Sequence, residues 1–211
     1  MILDSLEELG LRDDTVIIYT SDHGESLGDH GHTHKGCRFY EGLVHVPLII
    51  SWPSKYQQNV RCKDITELTD IVPTISEITG IKYDDTTGFS LVPVLEGRGE
   101  SGRKFARSEY YGVLEESGKF GSSNEGQECD DKYAGKTHET YGEMYLEGKY
   151  KLCIFHDTMH GQLYNLENDP IEENNLWDEI NYRDIRDELL MKAFSSAVIL
   201  SRPGQNRRGR Y

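Results

Sequence analysis

Thr20-Ser21-Asp22-His23-Gly24-Glu25-Ser26-Leu27-Gly28-Asp29-His30-Gly31 is the stretch on which the fold and the chemistry of this chain turn. It continues the β-branched run Thr15–Tyr19, which predicts a short buried strand. An Asp directly behind such a strand stands at its carboxyl end, where α/β sheets place their ligands. Asp22 and His23 there offer a hard oxygen and an imidazole to one cation. Gly24, Gly28 and Gly31 permit backbone turns that a Cβ would resist. Lys35, farther on, provides a point charge suited to an anionic oxygen. Each piece also has a plainer reading. An Asp-His pair behind a strand also makes an ordinary turn, and an isolated Lys is also a solvated surface charge. His30, His32 and His34 are also loop residues, or a zinc or copper site.

Upstream, Ile2, Leu3, Leu6 and Leu9 recur at helical spacing, and Gly10 sits where a helix end wants a left-handed residue. A helix feeding a buried strand is half of an α/β layer. Downstream, Val46–Trp52 predicts a second buried strand, stopped by Pro53. Leu68, Ile71, Val72, Ile75 and Ile78 mark one face of a helix with Pro73 in its first turn and Gly80 closing it. Tyr83 to Gly102 reads as irregular connection, punctuated by Gly88, Pro93, Gly97, Gly99 and Gly102.

The character changes near Ser101. Strand-like segments follow at Lys104–Tyr111, Tyr141–Leu146, Tyr150–His156 and Gln162–Leu166, with Glu147-Gly148-Lys149 as a tight hairpin. The polar, Gly-rich stretch Glu115–His138 is too long for an ordinary hairpin connection. Tyr182, Ile185, Leu189 and Ala193 share a face of a closing helix. The expected organisation is residues 1–100 as part of an α/β layer, then residues 101–211 as a smaller α+β unit.

The chain has 211 residues and a net charge of −14, which argues against generic nucleic-acid binding, since that needs clustered Lys and Arg. Its one basic cluster is Arg207, Arg208 and Arg210, read as a frayed tail first and an interaction site second. No apolar run approaches the roughly 18–20 residues of a membrane span. The cysteines, Cys37, Cys62, Cys129 and Cys153, contain no CxxC pair, which disfavours a zinc knuckle or a disulfide-dense scaffold. No leader peptide is recognisable, and compartment stays open.

Asp13-Asp14-Thr15 through Pro53 resembles the second signature region of the type I sulfatases: a strand, "TSDHGE-LGDHG", a "KG", then "YEG--HVPLIISWP". The likeness continues in Thr69-Asp70-Ile71-Val72-Pro73-Thr74 and in Gly88-Phe89-Ser90-Leu91. It closes with Leu163-Tyr164-Asn165-Leu166-Glu167-Asn168-Asp169-Pro170 followed by Glu173 and Asn175-Leu176, similar to "LYDL--DP-E--NL". These motifs stand in order over nearly the whole chain. The resemblance implies the C-terminal part of the main sheet of an alkaline-phosphatase-like α/β sandwich, followed by an α+β subdomain with antiparallel strands and a C-terminal helix.

It also implies metal-assisted hydrolysis of a sulfate ester by a formylglycine nucleophile. Asp22 and His23 would be ligands of a divalent cation, calcium first and zinc or manganese as alternatives. Lys35 would contact the sulfate oxygens and stabilise charge developing on the transferring group or the leaving oxygen. His32 and His34 would fall in the substrate pocket. The substrate would be a sulfated small molecule or glycan.

None of the four cysteines opens the C/S-x-P/A-x-R motif that becomes formylglycine, and no Ser supplies it. The resemblance therefore implies a piece of a larger protein, whose N-terminal half would carry the nucleophile and the remaining ligands. Taken alone, the chain is expected to be without sulfatase turnover and to expose apolar surface where the sheet is incomplete. Two rival readings remain. One is a metal-dependent phosphoesterase or phosphonate hydrolase of the same superfamily. The other is a non-catalytic module that binds sulfated glycans.

Overall fold

A computed structural model describes residues 2–33, 35–83, 85–111, 141–156 and 160–200. The expected loop Glu115–His138, the basic cluster Arg207, Arg208 and Arg210, and Cys129 lie outside the described residues. In chain order the elements are α1 (Ile2–Glu8), β1 (Ile17–Thr20), α2 (Glu41–Val44), β2 (Leu48–Ser51), α3 (Ile71–Thr79), α4 (Val92–Leu95), β3 (Phe105–Tyr111), β4 (Tyr141–Glu147), β5 (Tyr150–Phe155), β6 (His160–Asn165) and α5 (Arg183–Leu200). They form two compact units, Met1–Asp22 with Val46–Lys104, and His23–His45 with Phe105–Tyr211. Among the described residues no helix is long and apolar enough to cross a membrane.

In the first unit α1 ends as its sequence predicts. Gly10 adopts φ 67, and N–H groups of Gly10 and Leu11 donate to Glu7 and Leu6 carbonyls in a Schellman-type cap. β1 and β2 pair antiparallel, Ile17 opposite Ser51 and Thr20 opposite Leu48. Both segments are strands, but the expectation that they are buried is corrected. Tyr19 and Ile49, directly opposed, are 61% and 58% exposed. A β-branched run reports fitness for a pleated ribbon; it does not report whether both faces are covered.

The "TDIVPT" and "GFSL" motifs are two halves of one construction. Asp70, fully buried, accepts N–H bonds from Glu67 at 2.9 Å and Phe89 at 2.7 Å. Thr74 on α3 donates to the Asp70 carbonyl at 2.6 Å and accepts the Leu91 N–H at 2.9 Å. Arg103 then grips both carboxylate oxygens of Asp70, with its Nε 3.0 Å from Oδ2, and reaches Glu67 at 2.9 Å. Gly88 is required because a Cβ there would overlap the Thr69 carbonyl. α3 stops at Gly80, φ 69, as predicted. The expected irregular connection over 83–102 is corrected in part: Val92–Leu95 forms α4, one turn with Pro93 at its start and Leu91 and Val92 buried. Gly and Pro spacing hid a helix too short to show a period.

The second unit is an antiparallel meander in the order β3-β4-β5-β6. Phe105 to Tyr111 runs against Glu147 to Tyr141, Tyr150 sits opposite Glu147, and Asn165 opposite Tyr150. Gly148, at φ 60, makes the tight turn the sequence predicts. Period-two alternation gives the sheet two apolar faces. On one, Met144, Cys153 and Phe155 pack against Cys37 and Phe39. On the other, Tyr145, Leu152 and Leu163 pack under Leu189 and Ala193 of α5, with Tyr182 and Ile185 alongside as expected. A Cβ at Gly142 would stand 2.7 Å from the Cys37 sulfur, and one at Gly161 would overlap the Trp177 ring.

The closing motif is a set of backbone pins. Asn175 Oδ1 accepts the N–H groups of Leu163 and Trp177, each at 3.0 Å, and Asp169 accepts those of Glu173 and Asn174. The acid that matters after Asp169-Pro170 is Glu172 rather than the Glu173 singled out from sequence. Glu172 is 2% exposed and turns inward, whereas Glu173 lies exposed.

Candidate functional site

The segment between β1 and α2 is held tightly. Leu27, Gly28, His30 and Gly31 all have positive φ, at 51, 108, 53 and 74. The turn is closed by the N–H of Gly28 to His32, of Asp29 to Ser26 and of His32 to Asp29, at 2.7, 2.8 and 2.9 Å. The His30 ring lies parallel on Tyr40 at 3.8 Å. His32 is buried, its ring 6.2 Å from that of Tyr40. Both rings thus lie against Tyr40. His34 lies outside the described residues.

Asp22, exposed, ends the first unit, and His23 begins the second. His23 Nδ1 is 2.7 Å from the Gly24 carbonyl oxygen, which can only accept, so the proton belongs on Nδ1. Nε2 is 2.8 Å from Lys35 Nζ, an ammonium that can only donate, so Nε2 presents its lone pair. The structure brings two of the predicted residues together in this contact. Arg38 Nη1 donates to the Lys35 carbonyl at 3.1 Å and steadies that stretch.

An imidazole nitrogen whose lone pair faces an ammonium, with a carboxylate next to it in sequence, is a donor set that suits a divalent cation once Lys35 turns away. It is a partial set, since such ions take about four to eight ligands. Among the described residues no group of three or more His, Cys, Asp or Glu side chains gathers in ligating geometry.

Sequence reasoning missed the polar group beneath this loop. Lys151 on β5, fully buried, lies 2.5 Å from Glu172 Oε1 and 2.8 Å from Glu41 Oε1. Burial pushes the Glu172 carboxyl up from its ordinary range, with Lys151 partly opposing that shift. Next to it, burial pushes the Cys153 thiol up to about 12 and raises the Tyr164 phenol beside Tyr40. A Lys on an apolar strand reads from sequence as solvated; its burial became legible only with its partners in place.

This arrangement belongs to a known class of fold. The second unit's meander and the first unit's α/β elements match, over 98% of this chain, a protein solved in complex with its substrate D-glucosamine-2-N,6-O-disulfate, at TM-score 0.76 and 26% identity. A phosphonate monoester hydrolase of Agrobacterium radiobacter matches over 94% at TM-score 0.76 and 28% identity. Those chains are covered to only 39% and 38%. In sequence, residues 1–81 match the Sulfatase family. An N-acetylglucosamine-6-O-sulfatase of Bacteroides thetaiotaomicron is 30% identical over 90% of this chain. The chain is thus similar to sulfatases in sequence and shares a fold with these hydrolases, and it spans 31% of the length of that curated relative.

Proposed function

We propose that this chain supplies the cation- and sulfate-contacting segment of a sulfuric ester hydrolase. Asp22 and His23 would hold a divalent cation, with calcium the first candidate and zinc or manganese the alternatives. Lys35 would bind the ester's sulfate oxygens, and His32 and His34 would border the pocket. The observation that carries this reading is the oriented imidazole, Nδ1 on the Gly24 carbonyl at 2.7 Å and Nε2 toward Lys35 at 2.8 Å. A cation bound there would polarise the ester oxygens as a Lewis acid. His23 contributes a lone pair without giving up a proton, and Asp22 contributes negative charge. Lys35 is long enough to leave Nε2 and turn its ammonium to an anionic oxygen.

The substrate class we infer is a sulfated sugar or another sulfated small molecule. It rests on the relative that is an N-acetylglucosamine-6-O-sulfatase and the related structure holding a disulfated glucosamine. The likeness to a phosphonate monoester hydrolase keeps a phosphonate ester as the second reading, since the same three residues suit either anion. The nucleophile and further ligands would come from polypeptide outside these residues, in keeping with the 31% coverage of the curated relative.

Manganese titration of the ¹⁵N-histidine-labelled chain tests the cation reading. Paramagnetic broadening of His23 that is lost in Asp22→Ala is expected. Broadening spread evenly over the histidines, or unchanged in Asp22→Ala, would refute it.

A further inference from the structure

Lys151 is fully buried, and Glu172, 2% exposed, is left-handed at φ 60. Burying each of these charges forfeits hydration, a cost that apolar side chains at the same positions would not incur. A left-handed backbone at a residue with a Cβ adds to that cost. Such a pair needs a return beyond packing, and the geometry supplies one. Glu172 Oε2 accepts the N–H of Glu41, the first residue of α2, at 2.6 Å. Lys151 holds the carboxylate of the same Glu41 at 2.8 Å.

From α2 the connection runs through main chain. The Gly24 N–H donates to the Leu43 carbonyl at 2.8 Å. Gly24 also lies so close to Gly42 that a Cβ would overlap the Gly42 carbonyl oxygen. The carbonyl of Gly24, held in this way, is the acceptor that sets the His23 imidazole. Every step from Lys151 to His23 is a short hydrogen bond, an ion pair or a glycine contact within one compact unit.

We propose that Lys151 and Glu172 are positioning residues for the candidate cation site. The buried pair fixes α2, α2 fixes Gly24, and Gly24 holds His23 with its Nε2 lone pair facing Lys35. The inference rests on the preceding reading in taking His23 as the ligand to be positioned.

The test is the tautomer of His23, read by long-range ¹H–¹⁵N correlation in the full chain. The double variant Lys151→Met/Glu172→Leu replaces the pair by apolar side chains and takes both partners from Glu41, so a thermal melt first establishes that it is folded. It should lose the Nδ1–H signature and revert to the Nε2–H form that free imidazoles favour. Glu172→Gln, which keeps an oxygen for the Glu41 N–H, should retain that signature. Leu189→Ala, a cavity in the cluster on the opposite face of the sheet, should lower stability and leave His23 unchanged. The inference is overturned if the folded double variant keeps the wild-type tautomer, or if Leu189→Ala shifts it equally. A tautomer that responds as expected supports the positioning role even where manganese fails to broaden His23, an outcome that would remove only the cation reading.

Discussion

The Lys35 ammonium lies 2.8 Å from His23 Nε2, so the chain's own cation stands on the lone pair that a divalent ion would take. Lys35 and such an ion compete for one position. Replacing Lys35 by Met should therefore tighten manganese binding to this chain by about fivefold, the scale of one like-charge contact in a solvated site. Calorimetric titration of both proteins measures it. Equal or weaker binding by Lys35→Met would remove the competition.

Asp70 and Arg103 form a buried bidentate pair that also carries backbone N–H bonds from Glu67 and Phe89. Asp70→Ala leaves Arg103 without its inner partner and frees those donors. The expected loss is about 3–5 kcal/mol, as for other broken buried pairs. Urea denaturation checks it, and a loss under about 1 kcal/mol would show that Glu67 alone suffices to hold Arg103.

Of the three free cysteines among the described residues, Cys62 is exposed while Cys37 and Cys153 are buried. In a Cys129→Ser background at pH 8, Ellman's reagent should label Cys62 promptly and the other two only after denaturant is added. Burial raises the Cys153 thiol from the ordinary 9.0 to about 12. Its folded-state value is the higher one, so its contribution to stability is complete below about pH 9 and is lost as pH climbs toward 12. Denaturation midpoints measured from pH 8 to 11 should fall more steeply for wild type than for Cys153→Ala.

Gly161→Ala drives a methyl into the Trp177 ring. Overpacking of this kind costs about 1–3 kcal/mol. Trp177 should become more exposed, and its fluorescence maximum should move to longer wavelength. Trp52→Phe in both proteins isolates the signal. An unmoved spectrum would mean that α5 and the closing turn yield without cost.

Much of the fold was legible because it follows local rules. Gly10, Gly80 and Gly148 each end or turn an element by left-handed backbone, and the alternating residues of β3 to β6 announce their two faces. The candidate site was legible at Asp22, His23 and Lys35 as residue types in a motif. Their contact was not, because a tautomer is set by a carbonyl and an ammonium that no pattern displays. Asp70 and Thr74 stood in a motif without a stated role, and their grip on Phe89 and Leu91 spans 19 and 17 positions, beyond any local period. Lys151 and Glu172 were hidden for the same reason: charge on a strand or in a turn signals solvent until its partner is known.

The union of His23–His45 with Phe105–Tyr211 in one compact unit has a consequence for synthesis. Glu41 and Glu172 are 131 positions apart, so at about 5–20 residues per second a ribosome delivers the second roughly 7–26 s after the first. For that interval the stretch bearing His23 and Lys35 has neither the sheet beneath it nor the carboxylate that anchors α2. It can take up its final shape only once the last strand and turn have emerged, which makes it a late event in the folding of this chain and a point where nascent protein is open to chaperones and proteases.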